Sequence, residues 1–169
     1  MESDNTMTIE NPYYPPHVVI LGDAMVDTYV EVYPKDLSAE APIPRFMVSG
    51  NTRDYPGGAS NVDSILNQVV NRKLGVLYYI SGNSVAIKTR YIHNNIQVFR
   101  VDQDGLPRGY QGTSNPLEDF AGLDSITHLV ISDYNKGTVT EEVIKTLEEG
   151  LHPKTKIYID TKTDPINLS

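Results

Sequence analysis

Four short apolar runs constrain this chain more than any other feature: His17 to Leu21 (HVVIL), Gly75 to Ile80 (GVLYYI), His128 to Ser132 (HLVIS) and Lys156 to Ile159 (KIYI). Each is too short to be a core helix and does not alternate as a strand with one wet face would. Continuous runs of this kind are the pattern of strands buried on both faces, as in a parallel sheet. Parallel neighbours need crossovers, and helical periodicity lies between the runs. Val62, Ile65, Leu66, Val69 and Val70 recur at helical spacing, as do Ile144, Leu147 and Leu151. The expectation is an α/β fold, a Rossmann-like parallel sheet with flanking helices and right-handed connections.

Three of the runs end in an acidic residue, Asp133 and Asp160 directly and Asp23 after Gly22. The carboxyl ends of parallel strands are where open α/β sheets bind ligands. Three carboxylates there could hold sugar hydroxyls or a magnesium ion, or could serve as helix caps and Asx-turns, the commoner use of Asp after a strand. A second feature is the stretch Asp54 to Val70 (DYPGGASNVDSILNQVV), where Gly57 and Gly58 precede a helix directly. Bare backbone beside a helix N-terminus suits an oxygen-rich ligand, with Asn61 in the first turn. Gly-Gly is also ordinary punctuation, and without a third glycine it is no dinucleotide fingerprint.

Between the first run and that helix the pattern is strand-like. Tyr29 to Tyr33 and Phe46 to Val48 flank a proline-bearing loop, and AIKTRYIH and IQVFRVD flank Asn94-Asn95, a pair suited to a two-residue hairpin turn. These segments, from about 28 to 54 and 86 to 102, read as a small β lid. Lys88, Arg90 and Arg100 on the lid read equally as solvated strand charges. Residues 1–16 read as a flexible tail, 103–115 as loop, Pro116 to Leu123 as a short helix, and Thr138 with Glu141 as a capping box.

Composition limits the function classes. The 169 residues suffice for one domain with a core, here 17–169. A net charge of −8 argues against duplex nucleic acid as partner. No apolar run reaches bilayer length and the N-terminus lacks a signal-peptide pattern, so the expected location is cytoplasmic, with no membrane partner. The absence of cysteine excludes disulfides and thiolate chemistry, and no metal ligand set is assigned.

In order, VVILGDAMVDTYV, LSAEAPIPRF, PGGASNV, KTRYIHNNIQVFRVD, LVISDYNKG and IYIDTK resemble the ribokinase-like (PfkB) carbohydrate kinases. More closely, they resemble the heptose-7-phosphate kinase domain of the bifunctional ADP-heptose synthesis proteins. The resemblance runs from about Val18 to Lys162. It implies a sheet with a β lid that closes over a sugar, and dimers formed through the lid. It implies that Asp27 and Asn61 bind sugar hydroxyls and that Gly57 and Gly58 admit the substrate to the backbone. Asp133 and Lys136 would line the substrate and phosphate region, with Arg90 and Arg100 near the substrate phosphate.

The departures are as informative. The family's Gly-Ala-Gly-Asp segment, which supplies the anion hole and the general base, does not occur in these 169 residues, nor does most of the adenine pocket. The chain is shorter than the family pattern between Asn61 and Lys88, and Thr161 stands where a proline is usual. ATP and magnesium are the cofactors the family implies, but most of the site that would hold them is missing, so no catalytic residue is assigned. The expectation is the N-terminal, sugar-binding half of a truncated ribokinase-like fold, inactive as a kinase alone. Its candidate partners are a sugar phosphate, a second copy of itself and a complementary chain. The alternative is a non-catalytic sugar-phosphate-binding or dimeric scaffold protein.

Overall fold

The structure is a computed structural model. It describes residues 17–69, 76–80, 85–104, 117 and 122–162. The expected tail, nearly all of the 103–115 loop and most of the helix expected from Pro116 lie outside the described residues.

The four apolar runs form one parallel sheet. β1 (His17–Gly22), β4 (Val76–Ile80), β7 (His128–Asp133) and β8 (Lys156–Thr161) lie in the order β4-β1-β7-β8. β1 pairs with β4 on one side and β7 on the other, and β7 with β8. Alternate residues of the central strands, Val19 and Leu21 with Leu129 and Ile131, meet α2 (Glu141–Gly150) through Val143 and Leu147, all fully buried. Burying one such side chain stabilises the fold by about 1.5–3 kcal/mol. α1 (Ala59–Val69) is covered less well, because Ile65 of its apolar stripe is 49% exposed. β8 departs from the doubly buried expectation: Ile157, Tyr158 and Ile159 are all exposed, and no described strand flanks its outer edge.

The lid is a second four-stranded sheet, ordered β3-β2-β5-β6, built from β2 (Ala24–Leu37), β3 (Pro44–Gly58), β5 (Val85–His93) and β6 (Ile96–Gln103). β2 starts only one residue after β1 ends, so a single strand path runs from the core sheet into the lid through Asp23. β3 is longer than its apolar residues suggest and carries Gly57 and Gly58 as its last two residues, paired with Met25 and Ala24. Asn94 and Asn95 adopt φ of 50° and 63°, as the β5–β6 turn requires.

Cross-strand partners share a face, so register sorts the lid's side chains. Asp27, Tyr29, Arg53, Tyr55, Lys88, Arg90, Arg100 and Asp102 fall on one face. Val30, Tyr91, Phe99 and Val101 fall on the other, where Tyr91 stacks on Phe99 at 4.2 Å between centroids. One face is charged, and the other carries these apolar side chains beside Thr28, Asp54 and Thr89.

The capping box at Thr138 is corrected. The cap of α2 is Thr140, whose hydroxyl accepts from the Val143 N–H at 3.3 Å. Thr138 is buried instead, its N–H donating 3.0 Å to Asp23 Oδ1. The acceptor lies between β1 and β2, so the local spacing of Thr138 and Glu141 carried no trace of it.

Candidate functional site

Two of the three strand-end carboxylates accept hydrogen bonds from within the fold. Asp23 is 1% exposed, and its oxygens accept from the N–H groups of Tyr134 (2.8 Å), Lys136 (3.0 Å) and Thr138 (3.0 Å). It thereby shapes the loop after β7. Asp133 is also buried; it accepts from the Asn135 N–H at 2.8 Å and the Thr161 hydroxyl at 2.8 Å. Thr161, where the family has proline, thus ties β8 to β7. Asp160 is exposed. Among the described residues no three acidic or histidine groups are arranged to hold a metal ion.

Asp27 has a different environment. Its half-buried carboxylate is ion-paired with Arg90 across β2 and β5. It also lies against Gly57, where a Cβ would come within 2.7 Å of Asp27 Oδ2. The Arg90 guanidinium sits 5.3 Å from the Tyr29 ring centroid. Its pKa is raised, first by the hydrogen bond to Asp27, with further help from the charges of Asp27, Tyr29 and Asp102 and opposition from burial. Arg90 is thus a permanent cation over the glycine end of β3.

The other expected residues are spread around this pair. Arg100 is the direct cross-strand neighbour of Arg90 but turns to Asp102, with Nε 2.7 Å from Oδ1 and a second bond of 2.9 Å. Asn61 is exposed in the first turn of α1, beside Gly57 and Gly58. Lys136 is held by Asp104 at 2.7 Å. The structure brings Asp27, Gly57 and Arg90 into contact, places Arg100 beside them, and puts Lys136 on the rim of the core sheet. Asp133 stands apart, with its carboxylate turned into the fold.

Sequence reasoning missed Tyr29, Tyr134 and Lys162. The Tyr134 ring has two ammonium groups near it, Lys88 Nζ at 5.5 Å and Lys162 Nζ at 4.4 Å from its centroid. Lys162 and Tyr134 each follow a core strand directly, the one signal that could have singled them out. A groove of about 470 Å³ also opens on the charged lid face, lined in part by Tyr29, Arg53 and Tyr55.

An open parallel sheet whose first strand passes straight into a β lid is the architecture of ribokinase-like sugar kinases. Two crystal structures share it, each at a TM-score of 0.50. One is of a candidate sugar kinase from Clostridium perfringens, 12% identical, with 88% of this chain and 52% of that one covered. The other is of a candidate phosphofructokinase from Staphylococcus aureus, 11% identical, with 85% and 52% covered. No family model matches the chain. In sequence it is 27% identical over 175 residues to the bifunctional protein HldE of Shewanella sediminis, covering 86% of this chain and 35% of the relative. It is 31% identical over 154 residues to the HldE of Gluconacetobacter diazotrophicus, covering 75% and 32%. The chain is a sugar-kinase-like relative of HldE with a ribokinase-like fold, and it spans about a third of the length of the curated relatives it matches. No described helix is long and apolar enough to cross a membrane.

Proposed function

We propose that this chain binds a sugar phosphate as the acceptor side of a kinase site, with heptose 7-phosphate as the candidate substrate. The observation that carries this reading is the Asp27 carboxylate laid on Gly57 and paired with Arg90. A carboxylate accepts two sugar hydroxyls, the glycine leaves the backbone bare, and a planar guanidinium suits a phosphate. Asn61 adds a donor and an acceptor at the same end of α1. Phosphoryl transfer needs positioned charge around the transferred group and a base on the accepting hydroxyl. The family's Gly-Ala-Gly-Asp segment supplies both and is not among these 169 residues. Binding without turnover by these 169 residues alone is the reading, and a segment of that kind, on this chain or another, is what would complete the site.

Calorimetry with heptose 7-phosphate tests the binding. Wild type should bind, and Asp27→Ala should weaken binding about a hundredfold, the loss of two charge-assisted hydrogen bonds. Equal affinity in the two proteins would remove Asp27 from the site. Transfer of phosphate from magnesium-ATP by the purified polypeptide would overturn the claim of binding without turnover.

A second reading rests on the lid's other face. Phe99 (41% exposed), Val101 (44%) and Val48 (55%) are apolar side chains left open to solvent, and apolar surface of this kind marks a protein interface where it is contiguous. A homodimer through the lid would cover it, with or without a sugar. Light scattering should give twice the monomer mass, and Phe99→Asp should halve it. A wild-type monomer at tens of micromolar would exclude this dimer.

A further inference from the structure

We propose that the groove on the charged face of the lid is a saccharide site that takes an uncharged sugar ring, separate from the Asp27 pair. At about 470 Å³ it falls within the roughly 300–1,000 Å³ of small-molecule sites. Asn51, Arg53 and Tyr55 recur on β3 at the period of two that puts side chains on one face. Tyr29 and Glu31 reach the groove from β2, and Asn95 from the β5–β6 turn. Asp27, Gly57 and Arg90 are not among its lining residues. The site therefore goes beyond the sugar-phosphate reading and does not depend on it.

The lining matches what a sugar presents, which is apolar C–H faces with a rim of hydroxyls that each donate and accept. The Tyr29 and Tyr55 rings stand edge to face, 5.5 Å between centroids and 88° between planes, and both are open to solvent. They supply flat apolar surface with a polar tip. The polar groups beside them are largely unspent. Among the described residues the Arg53 guanidinium and the Asn95 side-chain amide have no hydrogen-bond or ion-pair partner. Glu31 accepts only from the Asn51 amide, at 3.3 Å, which leaves most of its lone pairs open. Glu31 and Arg53 line one groove without closing on each other, so its lining is neutral overall. An anion drawn by the guanidinium is opposed by the carboxylate, whereas a neutral polyol donates to one and accepts from the other. Tyr29 also has the Arg90 guanidinium 5.3 Å from its ring centroid, so the groove begins where the Asp27 pair ends. The sugar ring is either a free saccharide or the far unit of a larger one whose phosphorylated end lies at Asp27.

Saturation-transfer NMR and calorimetric titration with maltose, cellobiose and lactose test the groove, with maltose 6′-phosphate and heptose 7-phosphate as the phosphorylated arms. Wild type should bind at least one of the three neutral disaccharides. Arg53→Gln and Glu31→Gln, both at exposed positions, should each weaken that binding about tenfold, the loss of one hydrogen bond to a charged group. Tyr55→Ala should weaken it at least as much. Arg53→Gln should bind heptose 7-phosphate as wild type does. Tighter binding of maltose 6′-phosphate than of maltose assigns a ligand that spans the groove and the Asp27 pair, and equal binding assigns a free saccharide. No neutral disaccharide bound at tens of millimolar would overturn the site, as would wild-type affinity in all three variants. If Arg53→Gln lost heptose 7-phosphate and disaccharide together, the groove would be part of the Asp27 seat and the separate site would fall. A dimer whose mass Arg53→Gln halves, with no saccharide bound, would give the groove to a second copy of the chain. If heptose 7-phosphate failed to bind while a disaccharide bound and responded to Arg53→Gln, the groove would stand and the sugar-phosphate reading would fall.

Discussion

Asp23→Ala should be among the most destabilising single substitutions in this chain, costing about 3 kcal/mol or more in urea unfolding. The carboxylate is 1% exposed and accepts three backbone N–H groups, those of Tyr134, Lys136 and Thr138. Alanine leaves all three donors without that acceptor, and each buried group so stranded costs about 1–3 kcal/mol. Against the 5–15 kcal/mol of a typical domain that is a large fraction. The position also joins the two sheets. The Asp23 N–H donates 3.1 Å to the Ser132 carbonyl, and its carbonyl accepts from the Ala59 N–H at 3.0 Å, where α1 begins. Asp23→Asn should fall between the two, since a carboxamide keeps one acceptor oxygen but presents an NH₂ to the remaining donors. A loss below about 0.5 kcal/mol for Asp23→Ala, the range of ordinary surface changes, would mean that the loop after β7 holds its shape without this carboxylate.

The same residue shows what could be read in the sequence and what could not. The strands were legible because HVVIL, HLVIS and KIYI each hold an unbroken apolar stretch and are bounded by turn residues, and the lid hairpin because Asn94-Asn95 is a local signal. The role of Asp23 was left open between ligand and cap, since its three donors lie more than a hundred residues away. Thr138 and Glu141 stand at capping-box spacing, yet the long-range bond to Asp23 displaced the cap to Thr140. β8 read as doubly buried because composition reports what a strand prefers, not what the described residues place against it.

The candidate site was legible at one end only. Asp27, Gly57 and Arg90 stand on three different strands, and only the family resemblance linked them before the structure put them in contact. Tyr134 with Lys88 and Lys162 had no such guide. Taken singly, a lysine on a strand reads as a solvated charge. What changes that reading is register, which gives Asp27 and Asp102 to the two arginines and leaves Lys88 facing the core.

Gly57 and Gly58 are neighbours that should respond to alanine in opposite ways. Gly58 has φ of +54°, and a Cβ there would lie 2.3 Å from Met25 Cε and 2.6 Å from the Asp23 carbonyl oxygen. Methionine can move, but the backbone carbonyl cannot without disturbing the start of α1. The left-handed conformation alone costs an L-residue about 1–2 kcal/mol, and relieving the overlap adds at least about 1 kcal/mol. Gly58→Ala should therefore lose about 2–3 kcal/mol of stability. At Gly57 the nearest atom is Asp27 Oδ2 at 2.7 Å, the far end of a side chain. That carboxylate can swing away, so Gly57→Ala should unfold within about 1 kcal/mol of wild type, a volume-tolerant change. The displaced Asp27 would leave Arg90, however, and heptose 7-phosphate affinity should fall about tenfold or more, the value of one charge-assisted hydrogen bond. Urea melts and calorimetry on the two variants separate the glycine that shapes the fold from the one that admits the carboxylate. A Gly57→Ala protein that binds heptose 7-phosphate as wild type does would show that Asp27 need not rest on bare backbone for the sugar to bind.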